Sequence, residues 1–339
     1  MAGRPLLRDT AIAVAAFLVL MALPAVTGSS ALRDFVIYVS AYGLLAQSLN
    51  LLTGYTGLVS FGHAAYFACG AYVFGLVMQA GHSVPVGIFS AIAASVLLAL
   101  VVGAICVRLK DIYFAFLTLA FQMLLHSVIL TWVSLTGGDQ GLMGGIPRPP
   151  FLGIDLANSQ TFYVFTCATF VLCVLFLRQI TESPFGYTLR LIRDNQQRAE
   201  FLGVDVFRAK LLAFVLAGAV AGVGGILMAL FVSGAYPAFA FWTTSGDAIF
   251  MLMLGGTHVF LGPVIGAIVL QTLEHLVTVY TSYKGLVLGL VILVAVLGLR
   301  RGIADYVYEL YAARRSGKAV PVRAGDDVRT VSNPEGNRP

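Results

Sequence analysis

Charge is scarce in this chain. Lys, Arg, Asp and Glu supply 11% of its 339 residues, against roughly 25% in a soluble domain. With 59% of residues hydrophobic and a mean hydropathy of +0.89, most of the length must be solvated by lipid. The chain is therefore read as an integral membrane protein. The net charge of +5 does not point to nucleic acid, because the basic residues are scattered between apolar runs. Cysteine is scarce too. Cys69, Cys106, Cys167 and Cys173 all fall inside apolar segments, without metal-ligand or redox spacing. They read as small buried hydrophobes.

Catalytic signatures are also missing. A phosphate loop needs G-x-x-x-x-G-K-[ST], but Gly317-Lys318 is followed by Ala319 and lacks the upstream glycine. The chain therefore does not bind and hydrolyse ATP through the usual cradle of backbone amides. There is no H-E-x-x-H, and His63, His126, His258 and His275 lie far apart, so zinc has little support. Ser233 or Ser245 with His258 or His275 has no hydrolase spacing. No catalytic, cofactor or metal site is expected.

Long apolar runs are what the chain does have. A spanning helix needs about 20 apolar residues. The runs at Ala11–Val26, Phe35–Leu52, Leu58–Met78, Val84–Val107, Ile112–Leu135, Thr161–Leu177, Leu211–Val232, Ala248–Leu254, Pro263–Tyr280 and Gly285–Leu299 give ten candidates. The eighth is weak as a full span, so the expectation is an all-α membrane protein of eight to ten transmembrane helices. The first run follows Arg4 and Arg8, a layout that a signal peptide shares. A retained first anchor with a cytoplasmic N-terminus is the simpler reading. That orientation puts 18 of the 21 Lys and Arg residues inside and leaves Arg33, Arg148 and Lys284 outside. So strong an asymmetry supports the orientation and an even number of crossings. It places both termini in the cytoplasm. Residues 1–313 read as the transmembrane domain, and 314–339, almost without large apolar residues, as a disordered cytoplasmic tail.

Polar groups inside the spans are candidates for a solute pathway, because ionisable and polar side chains are expensive in hydrocarbon. The stretch "LLTGYTGLVSFGHAAYFACGAY" interrupts apolar sequence with Gly54, Gly57, Ser60, Gly62 and His63, shortly after Gln47, Ser48 and Asn50. A second break, "MLGGTHVFLGPVIGA", carries Gly255, Gly256, Gly262 and Pro263. Gly- and Pro-interrupted segments in two parts of a transporter point to its pathway, and the order of segments puts both breaks on the same side. Thr118, Gln122 and His126 recur at i, i+4 and i+8, which places them on one helix face. Interhelical hydrogen bonding is the plainer alternative for such residues. Asp247, Glu274 and His275 are further polar positions in the C-terminal third. Gly218-x-x-x-Gly222 reads as close helix packing.

The inner segment 181–209 is the most polar stretch between spans. Ser183-Pro184 is a helix start, a capping hydroxyl followed by a residue suited to the first turn. Arg190, Arg193 and Arg198 alternate with Asp194 and Glu200; Gly203 reads as a helix stop, and Asp205 as the cap of the next span. This predicts a short amphipathic elbow parallel to the inner surface. It serves either as an anchor or as a docking element for a cytoplasmic partner.

Four ordered stretches resemble the LivM-type permease subunits of branched-chain amino-acid ABC importers. They are "SLNLLTGYTGLVSFGHAAYFACGAY", "RLKDIYFAFLTLAFQMLL" with "SLTGGDQGL", "SPFGYTLRLIRDNQQRAEFLGVDVFRAKLLAFVLAG" and "MLGGTHVFLGPVIGA". The resemblance covers roughly residues 35–305. It departs at His258, where the family usually has glycine. It implies a type II-like importer permease without covalent chemistry of its own. The implied partners are a second homologous permease subunit, two cytoplasmic ABC ATPase subunits and an extracytoplasmic binding protein that delivers leucine, isoleucine or valine. The family's coupling loop falls on Ser183, Pro184, Gly186, Arg190, Arg193, Asn195, Arg198, Ala199, Glu200, Gly203 and Val204. The setting implied is a bacterial inner membrane. The same assembly importing urea, short amides or another amino acid is an alternative cargo reading. A stand-alone secondary transporter is an alternative class, although the chain lacks a convincing buried acidic cluster to couple an ion.

Overall fold

The computed structural model describes residues 13–22, 28–142, 145–148, 155–280, 285–287, 289–290, 293 and 302–306. The tail 314–339 and most of the run 285–299 lie outside the described residues. Every regular element among those described is helical. The helices are α1 (Ala13–Ala22), α2 (Ser30–Thr56), α3 (Ala64–Gln79), α4 (Val84–Cys106), α5 (Asp111–Thr131), the single turn α6 (Val133–Thr136), α7 (Ser159–Thr181), α8 (Pro184–Asp194), α9 (Gln196–Phe201), α10 (Val206–Val232), α11 (Trp242–Gly255) and α12 (Gly262–Tyr280). Five of them, α2, α4, α5, α7 and α10, are long and apolar enough to cross a membrane.

Burial separates these five into two kinds. In the most apolar window of α2, 83% of residues are buried, and in α10 67%, but in α4, α5 and α7 only 28%. Two helices thus form the centre, and three present large apolar side chains outward, as lipid-facing helices must. The centre is built on close backbone approach. A Cβ on Gly225 of α10 would sit 1.9 Å from the Phe67 carbonyl of α3, and one on Gly70 of α3 would sit 2.2 Å from the Gly222 carbonyl. The Gly-x-x-x-Gly pattern read from the sequence therefore does what such patterns do in bilayers, where packing takes over the role of the hydrophobic effect.

Several apolar runs end differently from their hydropathy. The run Leu58–Met78 becomes unwound chain over 57–63, and α3 begins only at Ala64. Gly57 takes a left-handed φ of 77° that stops α2, a conformation glycine adopts without penalty. The run Ile112–Leu135 stops at Thr131, and α6 follows as a separate turn. The weak run Ala248–Leu254 is longer than it looked, because α11 takes in the polar residues from Trp242 to Asp247 upstream of it. Asp205 caps α10 by accepting from the Arg208 amide at 3.0 Å, so that helix starts five residues before its apolar run. On the opposite end of α10, Arg148 donates to the Phe231 carbonyl at 3.0 Å and to Ser233 at 2.9 Å, pinning the 145–148 segment there.

Gly225→Val should abolish monodisperse protein in size-exclusion chromatography of the detergent-solubilised chain. Gly246→Ala, where a Cβ meets nothing within 4 Å, should leave it folded and equally or slightly more heat-stable, because alanine suits a helix better by about 0.5–1 kcal/mol.

Candidate functional site

The C-terminal half of α2 carries the polar face that organises the site. Gln47, Asn50 and Gly54 are spaced i, i+3, i+7 and therefore share one side. Gln47 donates to the Phe260 carbonyl at 2.8 Å, and a Cβ on Gly54 would approach the Thr257 carbonyl to 3.2 Å. The two glycine-rich breaks predicted as separate segments thus meet directly. Ser48 lies on the neighbouring side of α2 and bonds His63 Nε2 at 2.9 Å. Its hydroxyl also reaches the Leu45 carbonyl at 2.8 Å. A serine has one proton to give. When Leu45 receives it, the imidazole N–H donates from Nε2 and leaves Nδ1 as a bare acceptor.

His63 marks how deep the chain re-enters. Ser48 lies eight residues before the end of α2, so α3 starts about 12 Å inside that end at 1.5 Å rise per residue. Such a start leaves amide groups without intrahelical partners. The first, Ala64 N–H, donates to Ser245 Oγ of α11 at 2.9 Å. Ser245 in turn donates to Gln122 Oε1 of α5 at 2.7 Å. Gln122 then donates to the Ala240 and Phe241 carbonyls at 3.2 and 2.8 Å, just ahead of α11. One glutamine halfway along α5 therefore caps two broken segments at once. His126 completes the splint against the Pro237 carbonyl at 3.2 Å, while Thr118 bonds its own helix at Ala115. The backbone of Thr118 is what touches the site, because a Cβ on Gly62 would meet its carbonyl at 2.1 Å. Gln122 and His126 are thus engaged in holding 237–245, and Thr118 backs Gly62. Ser245, the relay between its elements, was visible in the sequence only as an unspecific hydroxyl. Its partners are Gln122 and Ala64, so it has the wiring of a cap and not of a nucleophile.

The second break turns at Gly256, with φ 97°, and a Cβ on Gly255 would lie 1.9 Å from the Gly262 carbonyl. Pro263 stands in the first turn of α12, where its missing N–H costs nothing. His258, the departure from the family pattern, does not have a positive φ, so glycine is not required there. Asp305 holds this turn, accepting from the Val259 amide at 2.9 Å and the His258 amide at 3.4 Å, with His258 Nδ1 at 3.1 Å.

The polar segment after α7 forms two short helices. Ser183 accepts from the Gly186 amide at 3.4 Å to cap α8. A second cap interrupts the elbow: Asn195 accepts from the Arg198 amide at 2.9 Å and starts α9. Gly186 allows α8 to turn tightly against Thr181, whose carbonyl a Cβ would meet at 2.2 Å. Gly203, at φ 84°, ends α9. Ala199 packs with Ile192, Val204 and Val206 in a small core of its own. Arg198 and Glu200 stay exposed. Arg193 reaches away from this core and donates to the Gly54 carbonyl, and Arg190 stacks over Tyr55 at 5.1 Å. Three stretches far apart in sequence therefore converge on the last turns of α2: the first break, the second break and the elbow.

Of the eight buried side-chain atoms without a partner among the described residues, five lie at the same place, and Tyr72 Oη, Arg148 Nε and Thr166 Oγ1 lie elsewhere. Gln47 Oε1, both polar atoms of the Asn50 side chain, Ser60 Oγ and His63 Nδ1 have no hydrogen-bond partner in the chain, and all four residues are at least 98% buried. Each such atom costs about 1–3 kcal/mol, so the seam between α2, residues 57–63 and residues 257–260 is closed at a penalty. Gln47 stands in the sequence only as a polar residue near the end of its span; its i, i+3, i+7 relation to Asn50 and Gly54 is what ties it to the site. The described residues contain no group of three or more His, Cys, Asp or Glu side chains able to hold a metal. The chemistry on offer is reversible hydrogen bonding.

Comparison with known proteins finds transport permeases named for more than one cargo. The profile of the family described as "Branched-chain amino acid transport system / permease component" matches residues 31–296. The high-affinity branched-chain amino acid transport system permease protein LivM of Escherichia coli K12 is 25% identical over 275 residues, covering 73% of this chain and 64% of that protein. The chain thus spans less than two thirds of that relative's length. The probable branched-chain amino acid transport permease protein LivH of Methanocaldococcus jannaschii is 25% identical over 290 residues, covering 78% and 89%. The autoinducer 2 import system permease protein LsrC of Salmonella typhi is 27% identical over 241 residues, covering 66% and 65%.

Gln122→Leu and Ser245→Ala should each lower the melting temperature of the purified chain, by a loss of about 1–3 kcal/mol. Because the two residues form one relay, the double variant should lose clearly less than the sum. Full additivity in this cycle would dismantle the relay.

Proposed function

We propose that this chain, which belongs to the permease-component family of branched-chain amino acid transport systems, is one transmembrane subunit of an ATP-driven importer of branched-chain amino acids. It works beside a second homologous permease, two cytoplasmic ABC ATPase subunits and an extracytoplasmic binding protein. The chain itself catalyses no covalent reaction. The observation that carries the reading is the grip of Arg193 on the Gly54 carbonyl. It ties the elbow to the seam where the two breaks meet, so movement imposed on the elbow from the inner face acts directly on that seam.

The pathway in this reading runs past Asn50, Gly54, Gly57, Ser60, Gly62, His63, Gly255, Gly256, Gly262 and Pro263. Thr118, Gln122 and His126 frame it by fixing the broken helices. ATP-driven closure of the ATPases pushes α8 and α9, Arg193 draws on α2, and the seam opens, relieving the unpartnered atoms. The elbow side is the cytoplasmic side, consistent with the distribution of Lys and Arg. The reading comprises about ten (eight to ten) crossings in a type II-like permease over residues 1–313 with both termini inside. Supporting the tenth crossing, α12 leaves the Asp305 neighbourhood and runs 19 residues, about 28 Å, yet Asp305 is back at its starting end. The setting is a bacterial inner membrane.

Cargo is the finer point. The family's description and the LivM relative support leucine, isoleucine and valine. Urea, a short amide or another amino acid would fit the same neutral hydrogen-bonding seam, and a relative named for autoinducer 2 import shows that similarity at this level spans more than one cargo. A binding panel on the binding protein encoded beside this gene tests the assignment. Tight binding of leucine, isoleucine or valine is expected, and exclusive binding of a different solute would replace the cargo.

Arg193→Glu combined with Gly203→Pro should strongly reduce ATP-dependent uptake while leaving membrane insertion intact; wild-type uptake by that variant would sink the coupling role. Ser60→Leu or His63→Phe should block uptake with the ATPase subunits still attached. Unchanged transport would reduce the first break to packing.

A further inference from the structure

Three cations meet at the base of α10 without an acid between them. α4 ends at Cys106, and the turn 107–110 carries Arg108 and Lys110. The Arg108 guanidinium lies over the Phe207 ring at 5.4 Å, and the Lys110 ammonium repels that of Lys210. Lys210 is 5% exposed, and it donates to a neutral group, Gln196 Oε1 of α9, at 2.9 Å. Among the described residues, no carboxylate lies within ion-pair distance of Arg108, Lys110 or Lys210.

The neighbouring acids are engaged elsewhere. Asp205 holds Arg208 at 2.9 Å, and Asp194 faces Arg193 at 3.8 Å. Glu182 is shared by Arg178 and Arg190 at 3.2 and 3.6 Å. Glu200 accepts from Gln196 at 2.8 Å and is offset in charge by Arg198. Asp111 and Glu200 attract Lys210 only from beyond ion-pair distance. The surplus positive charge therefore stands at the turn 107–110 and the base of α10. Like charges held together cost free energy that an anion between them would remove.

The surroundings indicate which anion. Ile105 of α4, Phe116 of α5 and Leu212 of α10 are exposed within two turns of the three cations, on helices of which two, α4 and α5, face lipid. Tyr113, in the first turn of α5, is exposed as well, and tyrosine is a residue of the headgroup level. A guanidinium stacked through its face keeps its edge of N–H donors for a phosphate. We propose that Arg108, Lys110 and Lys210 hold the phosphate of an anionic phospholipid whose acyl chains lie along the lipid-facing side of α4 and α5. Basic pockets between helices at the membrane surface take headgroups in this way. The phosphate separates the two ammonium groups. Because Lys210 also carries Gln196, the bound lipid steadies the base of α9 against the turn between α4 and α5.

The test titrates the full chain, purified in detergent, with phosphatidylglycerol and follows bound lipid by native mass spectrometry. Wild type should retain phosphatidylglycerol but not phosphatidylcholine, whose phosphate carries no net charge with its headgroup. Arg108→Gln with Lys110→Gln should weaken retention about 30-fold, the loss expected for two charges at a lipid surface. Both side chains are exposed, so the variant should stay monodisperse, and Arg108→Lys with Lys110→Arg should keep most of the binding. Arg33→Gln, at the end of α2 away from the elbow, should change nothing. Wild-type retention by the double glutamine variant overturns the site, and so does an equal loss from Arg33→Gln, which would make net charge the cause. Inorganic phosphate at the lipid's concentration should not displace it; displacement would make free phosphate the ligand. A double glutamine variant that binds lipid normally but no longer copurifies with the ATPase subunits would assign the patch to a protein.

Discussion

A backbone amide without a partner inside a bilayer costs several kcal/mol, and the structure is organised around meeting that demand where its helices break. The relay from Ala64 N–H through Ser245 to Gln122, and on to the Ala240 and Phe241 carbonyls, is the answer at one depth. Asp305 accepting from the 258–259 amides is the answer at the second break. With those positions satisfied, the chain can keep irregular backbone next to the seam. A continuous helix would present its backbone groups to nothing but itself.

The seam shows the complementary arrangement. Its backbone is provided for, but several of its side chains are not. Gln47, Asn50, Ser60 and His63 are buried with atoms unmatched, in contrast to the matched network about Gln122. Matched polar groups fix the frame about Gln122, and five of the eight unmatched atoms among the described residues lie where α2 touches the two breaks, the others being Tyr72 Oη, Arg148 Nε and Thr166 Oγ1. The elbow attaches to the second region through Arg193 and not to the first.

Much of this was legible in the sequence. The caps at Ser183 and Asp205, the stop at Gly203 and the packing role of Gly222 follow from local rules that need no tertiary knowledge. The positions of both breaks were readable because clustered glycines and polar side chains weaken a lipid-facing helix, and so stand out within an apolar run. What the sequence could not display was pairing across long separations. Gln122 and Ser245 are 123 residues apart, and only the fold makes one the partner of the other. The same holds for Arg193 and Gly54. Hydropathy also misplaced the starts of α3 and α11, since it registers apolar length and shows neither the unwound residues 57–63 ahead of α3 nor the polar first turn of α11. His258 looked like an irregularity against a glycine position, yet the backbone strain of that turn sits two residues earlier, at Gly256.

The cap on α3 has a consequence for how the protein is made. Ala64 and Ser245 are separated by 181 residues, and synthesis proceeds at about 5–20 residues per second. For on the order of ten seconds or longer, the short helix after His63 exists without the hydroxyl that satisfies its first amide. The nascent amino-terminal half must therefore wait in the membrane as an unfinished intermediate, a target for quality-control proteases until the later helices arrive.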